Sequence, residues 1–177
     1  IDSRRQSFPR LLEWWGQQNT AGRHLWPGLF DSRLLPDVGG YTPQEIIDQT
    51  DLVRRDPVAT GTIHYSAKAL AERWRLGPLL ADGLYAEPAL VPASPWLDSA
   101  PPPAPTATLP PGGRIVAFGP ALGSEPVRHW IVREQGATGW TWRLLPDGQR
   151  TAVLDPGATR VAVAAVDRAG NEGPAVL

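Results

Sequence analysis

The stretch TGTIHYSAKAL, residues 60–70, starts as an apolar strand, ends in hydrogen-bonding side chains and runs on into a helix. His64, Tyr65, Ser66 and Lys68 thus gather where the strand leaves its sheet. In parallel α/β architecture that end is where ligands sit, because the loops after the strands converge there. Period-two alternation puts Ile63 and Tyr65 on one strand face, His64 and Ser66 on the other. A second strand candidate, RHLWPGLF (23–30), carries Trp26 near its end and is followed by Asp31. Asp31 is the acid best placed at a strand's C-terminal end.

These groups need a frame of helices and strands. Phe8, Leu11, Leu12 and Trp15 share one helical face after a cap candidate at Ser7. In YTPQEIIDQTDLVRRDP (41–57), Thr42 caps, Pro43 suits the first position and Glu45 completes a Thr-x-x-Glu box. Ile46, Thr50 and Val53 line its face, and Pro57 stops it. VATGTIHYS (58–66) is the second strand and AKALAERWRL (67–76) the helix after it. Strands alternating with helices over short loops mean parallel βα units.

The pattern changes at SPWLDSAPPPAPTATLPPGG (94–113), where proline density excludes helix and central strand and favours a stiff connector. Beyond it, RIVAF, VRHWIVRE, GWTWRLL, QRTAVL and TRVAVAAVD alternate with Gly, Pro and Asp. Roughly seven short strands predict a small antiparallel β-sandwich, and LPDGQ (145–149) supplies an Asp-Gly hairpin signal. The expected division is residues 1–93, a linker at 94–112 and a sandwich at 113–177. DRAGNEGP (167–174) reads as a turn whose Gly and Asn accept positive φ.

Composition narrows the function. The chain has 177 residues, 42% hydrophobic and 20% charged, with a net charge of −1. No basic surface argues for nucleic acid, and no apolar run approaches the roughly 20 residues of a membrane span. With no cysteine and 3 scattered His, no metal site is expected, and no cofactor either. No phosphate-binding Gly loop or HExxH pair occurs, and the serine of GPALGSEP (119–126) lacks a nucleophile elbow. The chain has no Met, so it reads as a piece of a longer or processed protein.

Several stretches in order resemble the bacterial glycosyl-hydrolase-like lipoproteins, whose members carry a TIM-like barrel followed by a fibronectin type III-like domain. LLEWWGQQN is similar to a late barrel helix, RHLWPGL to the seventh strand and GTIHYSAKAL to the eighth strand and its helix. PALVPASPWLDSAPPPAP resembles the exit segment, and VAVAAVDRAGNEGPAV the final strands of the appended domain. The resemblance implies α/β followed by all-β: the last two βα units of a barrel, a proline-rich hinge and an Ig- or fibronectin III-like sandwich. It implies a polysaccharide or peptidoglycan as ligand, a cell-envelope or secreted location, and completion by a missing N-terminal barrel half or another chain.

Glycoside hydrolysis usually needs two carboxylates flanking the bond. Asp31 alone is not a mechanism, so the sequence assigns no catalytic residue. On this resemblance His64 and Ser66 are expected to point into the barrel, with Tyr65 at the rim of a sugar-binding cleft. The plainer alternative is that Ser66 caps the following helix and His64 is a hydrogen-bonded core residue. Trp26 either stacks on a sugar ring or packs against the next helix. Trp140 and Trp142 alternate onto one strand face; exposed they would form a carbohydrate platform, and buried they would join Trp130 and Val132 in the core.

Overall fold

The computed structural model describes residues 7–71 and 76–177. They fall into two compact units that divide between Ala89 and Leu90. The first mixes helices with a short parallel sheet, and the second is built from antiparallel strands.

In the first unit, α1 spans Phe8–Gln18, β1 Gly28–Leu29, a 3-10 turn Asp31–Leu34 and α2 Pro43–Arg55. Then come β2 at Ile63–His64, α3 at Ala67–Leu70 and α4 at Leu76–Asp82. Thr42 Oγ1 accepts the Glu45 backbone N–H at 3.4 Å, and Pro43 opens α2, where its missing N–H costs nothing. The Glu45 carboxylate accepts from Gln49 Nε2 at 2.7 Å, so only half of the capping box forms. Ile46, Thr50 and Val53 are buried as their spacing predicts.

Two helices depart from expectation. Along α1 only Leu12 is fully buried, while Leu11 and Trp15 stay exposed, because no described element covers that side of the helix. Ser7 sits at its N-cap but makes no side-chain capping bond. The helix expected over 67–76 stops at Leu70; residues 72–75 lie outside the described residues, and α4 begins at Leu76. Pro78 falls in the first described turn of α4, where proline is tolerated.

β1 and β2 are parallel, Gly28 opposite Ile63 and Leu29 opposite His64, with a bridge between Leu25 and Ala59 upstream. From bridge to ladder the first strand advances three residues and the second four, so the second bulges around Thr60–Thr62. Leu29 packs with Ile46, Leu76 and Leu80, which puts the helices on its face of the sheet. The opposite face, carrying Phe30, Ile63 and Tyr65, is exposed. Among the described residues this sheet has two strands and closes no barrel.

In the second unit, β3 is Thr106–Thr108, β4 Ile115–Gly119, β5 His129–Gly136, β6 Gly139–Pro146, β7 Thr151–Val153 and β8 Arg160–Val166. They form two antiparallel sheets, ordered β3-β4-β7 and β6-β5-β8. Val116, Phe118, Ala152 and Leu154 of one meet Trp130, Val132, Val161, Val163 and Ala165 of the other in a continuous core. Trp130 is fully buried, its ring 5.2 Å from Phe118 and its indole N–H bonded to the Asp147 carbonyl. Glu134 is also buried on that side. Arg143 donates to one of its oxygens, and the Asp155 N–H to the other at 2.7 Å, so the charge is compensated.

The Asp-Gly signal does not mark a hairpin. β6 pairs with β5 and β7 with β4, so the turn at Asp147–Gly148 carries the chain from one sheet to the other. A two-residue hairpin of this type needs positive φ at both central residues, which Gly148 does not adopt. The tight hairpin instead joins β5 to β6, where Gly139 has φ 123°.

The proline-rich stretch read as a connector belongs to this second unit. β3 lies inside it, Ala107 opposite Phe118. Upstream, the Ser94 N–H donates to the Ala169 carbonyl at 2.7 Å, and Asn171 Nδ2 donates to the Asp98 carbonyl at 3.1 Å. Asp167 organises the receiving turn, its carboxylate accepting from the N–H groups of Ala169 and Asn171 at 2.8 and 2.9 Å. Gly170 there has φ 86°, as the turn's composition suggests. Prolines bar helix and central strand but permit an extended strap along an edge.

Candidate functional site

The C-terminal ends of β1 and β2 bring Asp31, Ser32, His64, Tyr65 and Ser66 together. The Ser32 N–H donates to the Tyr65 carbonyl at 3.0 Å, which ties the 3-10 turn to the end of β2. Ser32 Oγ lies 3.4 Å from Ser66 Oγ. Ser66 occupies the N-cap of α3 without a side-chain capping bond, so its hydroxyl serves this contact instead.

Asp31 is fully buried, and its Oδ2 is 2.7 Å from His64 Nδ1. Its other oxygen is buried without a hydrogen-bond partner among the described residues. An ionised Asp31 accepts only, and His64 Nδ1 is then the donor. His64 Nε2 lies 2.8 Å from the Tyr85 hydroxyl, which is itself 2.8 Å from Thr62 Oγ1. A row of four polar side chains therefore runs from a buried carboxylate to an exposed pair of hydroxyls.

Sequence reasoning missed Tyr85 and Thr62. Tyr85 follows α4, more than twenty residues from His64, and no local pattern marks it. The available signal was chemical: a half-buried imidazole needs partners for both nitrogens, and one carboxylate supplies only one.

The expected facing of β2 is reversed. Leu29 and His64 are register partners on the helix-covered side, so His64 looks toward the helical layer. Tyr65 is 64% exposed on the open side, with its ring 6.3 Å from that of the exposed Phe30. Trp26, just upstream of β1, is half exposed; its indole N–H donates to Thr60 Oγ1 at 2.9 Å, and its ring stacks on His24 at 5.5 Å. Gly61 leaves room for that ring, since a Cβ there would come within 3.2 Å of it. Arg33 acts inside its own loop, donating to the Gly39 carbonyl and lying over the Tyr41 ring.

In the second unit Trp140 and Trp142 share a sheet face, opposite Gln135 and Arg133 of β5. They differ in burial. Trp140 is 48% exposed with the Arg160 guanidinium 5.9 Å from its ring, whereas Trp142 packs with Ile131, Ala164 and Val166. Arg133 makes a bidentate pair with Glu172 at 2.5 and 2.9 Å, and that hydrogen bonding raises the guanidinium pKa above its ordinary value. No group of three or more acidic or His ligands converges on a metal position among the described residues. No described helix is long and apolar enough to cross a membrane.

The chain is 31% identical over 106 residues to the glycosyl hydrolase YngK of Bacillus subtilis (strain 168). The relationship is glycosyl-hydrolase-like. The matched stretch takes in 58% of this chain and 21% of the relative, so the chain spans about a fifth of the length of the curated relative it matches. No family model matches the chain.

Proposed function

We propose that this chain forms the closing part of a glycoside-hydrolase-like protein acting on polysaccharide or cell-wall glycan, in the cell envelope or outside the cell. On this reading the first unit is the last two βα units of a TIM-like barrel, and the second is a fibronectin III-like sandwich appended to it. The observation that carries the proposal is the pair of parallel strands that end together at Asp31 and the Phe30–Tyr65 aromatic pair, within a chain similar to a glycosyl hydrolase. Barrel enzymes keep their sites at that end of the strands.

The open face fits this role. In a barrel the helices lie outside, so the side of the sheet bearing Phe30, Ile63 and Tyr65 would look inward. Aromatic rings there suit the apolar faces of a pyranose. Asp31, enclosed behind His64, holds the imidazole rather than reaching a sugar, and Ser66 steadies the turn through Ser32. The acids that cleave a glycosidic bond would come from other strands, supplied by further βα units or another chain. An apolar groove of about 320 Å³ between α1 and β1, lined by Leu11, Leu12, Trp15 and Trp26, is where the next unit would pack.

The test is glycan turnover. The 177-residue chain should release no sugar from peptidoglycan or chromogenic glycosides, while a protein carrying six further βα units ahead of it should. Turnover by the short chain, lost in Asp31→Asn, would sink the proposal. A second reading rests on Trp140: its exposure favours a non-catalytic carbohydrate-binding platform, with the half-buried Trp142 as its root.

A further inference from the structure

A groove of about 540 Å³ opens beside the start of β2, between the end of α2 and the segment after α4. Its polar lining includes Arg54, Thr60, Thr62, Tyr85 and Glu87. Thr62 and Tyr85 belong to the row that begins at Asp31, so the chemistry of the groove is set from the buried end. With Asp31 ionised and His64 neutral, Nδ1–H donates to Asp31 Oδ2 and leaves Nε2 as an acceptor. Tyr85 then donates its proton to Nε2, and Thr62 donates to the Tyr85 oxygen. In that state every proton in the row is directed inward, and what faces the groove is lone pairs.

We propose that this groove is a binding site for a neutral, hydroxyl-bearing ligand such as a saccharide unit, which donates to Tyr85 and Thr62 and accepts from the exposed Arg54. The lone pairs of the row disfavour an anion at that wall, and a sugar hydroxyl meets both demands because it donates and accepts at once. The choice of a saccharide rests on the glycan-directed reading above. The site is distinct from the aromatic pair at the far ends of the strands.

The test is a titration of the isotope-labelled 177-residue chain with cellotetraose and with the tetrasaccharide of N-acetylglucosamine, followed by NMR, with inorganic phosphate as the anionic control. At least one saccharide should shift the Thr62 and Tyr85 resonances, and Tyr85→Phe and Thr62→Val should each weaken that binding about tenfold, the loss of one hydrogen bond. The His64 Nε2 resonance should be of the unprotonated, pyridine type in the native protein. Nε2 carrying the proton instead, phosphate binding in place of saccharide, or saccharide binding unaltered by Thr62→Val would each overturn the inference. Saccharide shifts confined to Phe30 and Tyr65 would also overturn it while leaving the glycan-directed function standing.

Discussion

The two units solve the same problem differently. The second buries its apolar residues between its own two sheets, compensates its buried carboxylates Glu134 and Asp167 internally and ties its proline strap down by hydrogen bonds. The first has a small core of Leu29, Ile46, Leu76 and Leu80 and leaves Trp15, Trp26, Phe30, Ile63 and Tyr65 at its surface. A strand pair with open edges and an apolar open face is stable only as far as something covers it. The second unit covers its own apolar residues; the first leaves a face of its sheet uncovered.

The largest effect that would sharpen this contrast is in the sandwich core. Trp130→Ala removes a fully buried indole and should cost about 3–5 kcal/mol in chemical denaturation. Near-wild-type stability would mean that the two sheets do not share one core.

Next comes the strap. A Cβ at Gly173 would stand 2.2 Å from the Pro102 carbonyl oxygen, so Gly173→Ala must displace the proline-rich segment. The expected loss is about 1–3 kcal/mol, with new protease cleavage near residues 94–105. Unchanged stability and no new cleavage would make the segment a loose connector after all.

In the first unit, Asp31→Asn keeps the size of the side chain but replaces a charge-assisted hydrogen bond with a neutral one. A cost of about 1–2 kcal/mol is expected, with a changed His64 ring nitrogen spectrum. An unaltered imidazole spectrum would show that Asp31 does not hold His64.

The smallest effect concerns Trp140. Its ring is half exposed, so Trp140→Ala should change stability by under about 0.5 kcal/mol. If it is a carbohydrate platform, the same change should abolish polysaccharide pull-down; a large stability loss with binding intact would make it core.

Local signals were most legible at α2, where the deciding interactions are local. Thr42, Pro43 and the Ile46–Thr50–Val53 stripe specify α2 without reference to anything distant. The gathering of His64, Tyr65, Ser66 and Asp31 was likewise visible, because strand ends in a parallel sheet must converge. What the sequence hid depends on pairing over distance. Which way β2 faces follows from its register with β1 and from a bulge that no residue type announces. The turn at Asp147–Gly148 has hairpin chemistry, yet strand partners across the two sheets overrule it. Tyr85 and Thr62 entered the site only through the second nitrogen of an imidazole.

The contrast between a self-sufficient sandwich and an α/β unit with an open apolar face is tested most directly by native-state amide hydrogen exchange on the whole chain. Amides of β5 and β8, paired on long antiparallel ladders over a buried core, should exchange slowest and report global unfolding. The amides of Ile63 and Tyr65, bonded to Pro27 and Leu29 at 3.0 Å in a two-stranded sheet, should exchange orders of magnitude faster. Equal protection in both units would contradict the account, because the two-stranded sheet would then be as stable as the sandwich despite its open face.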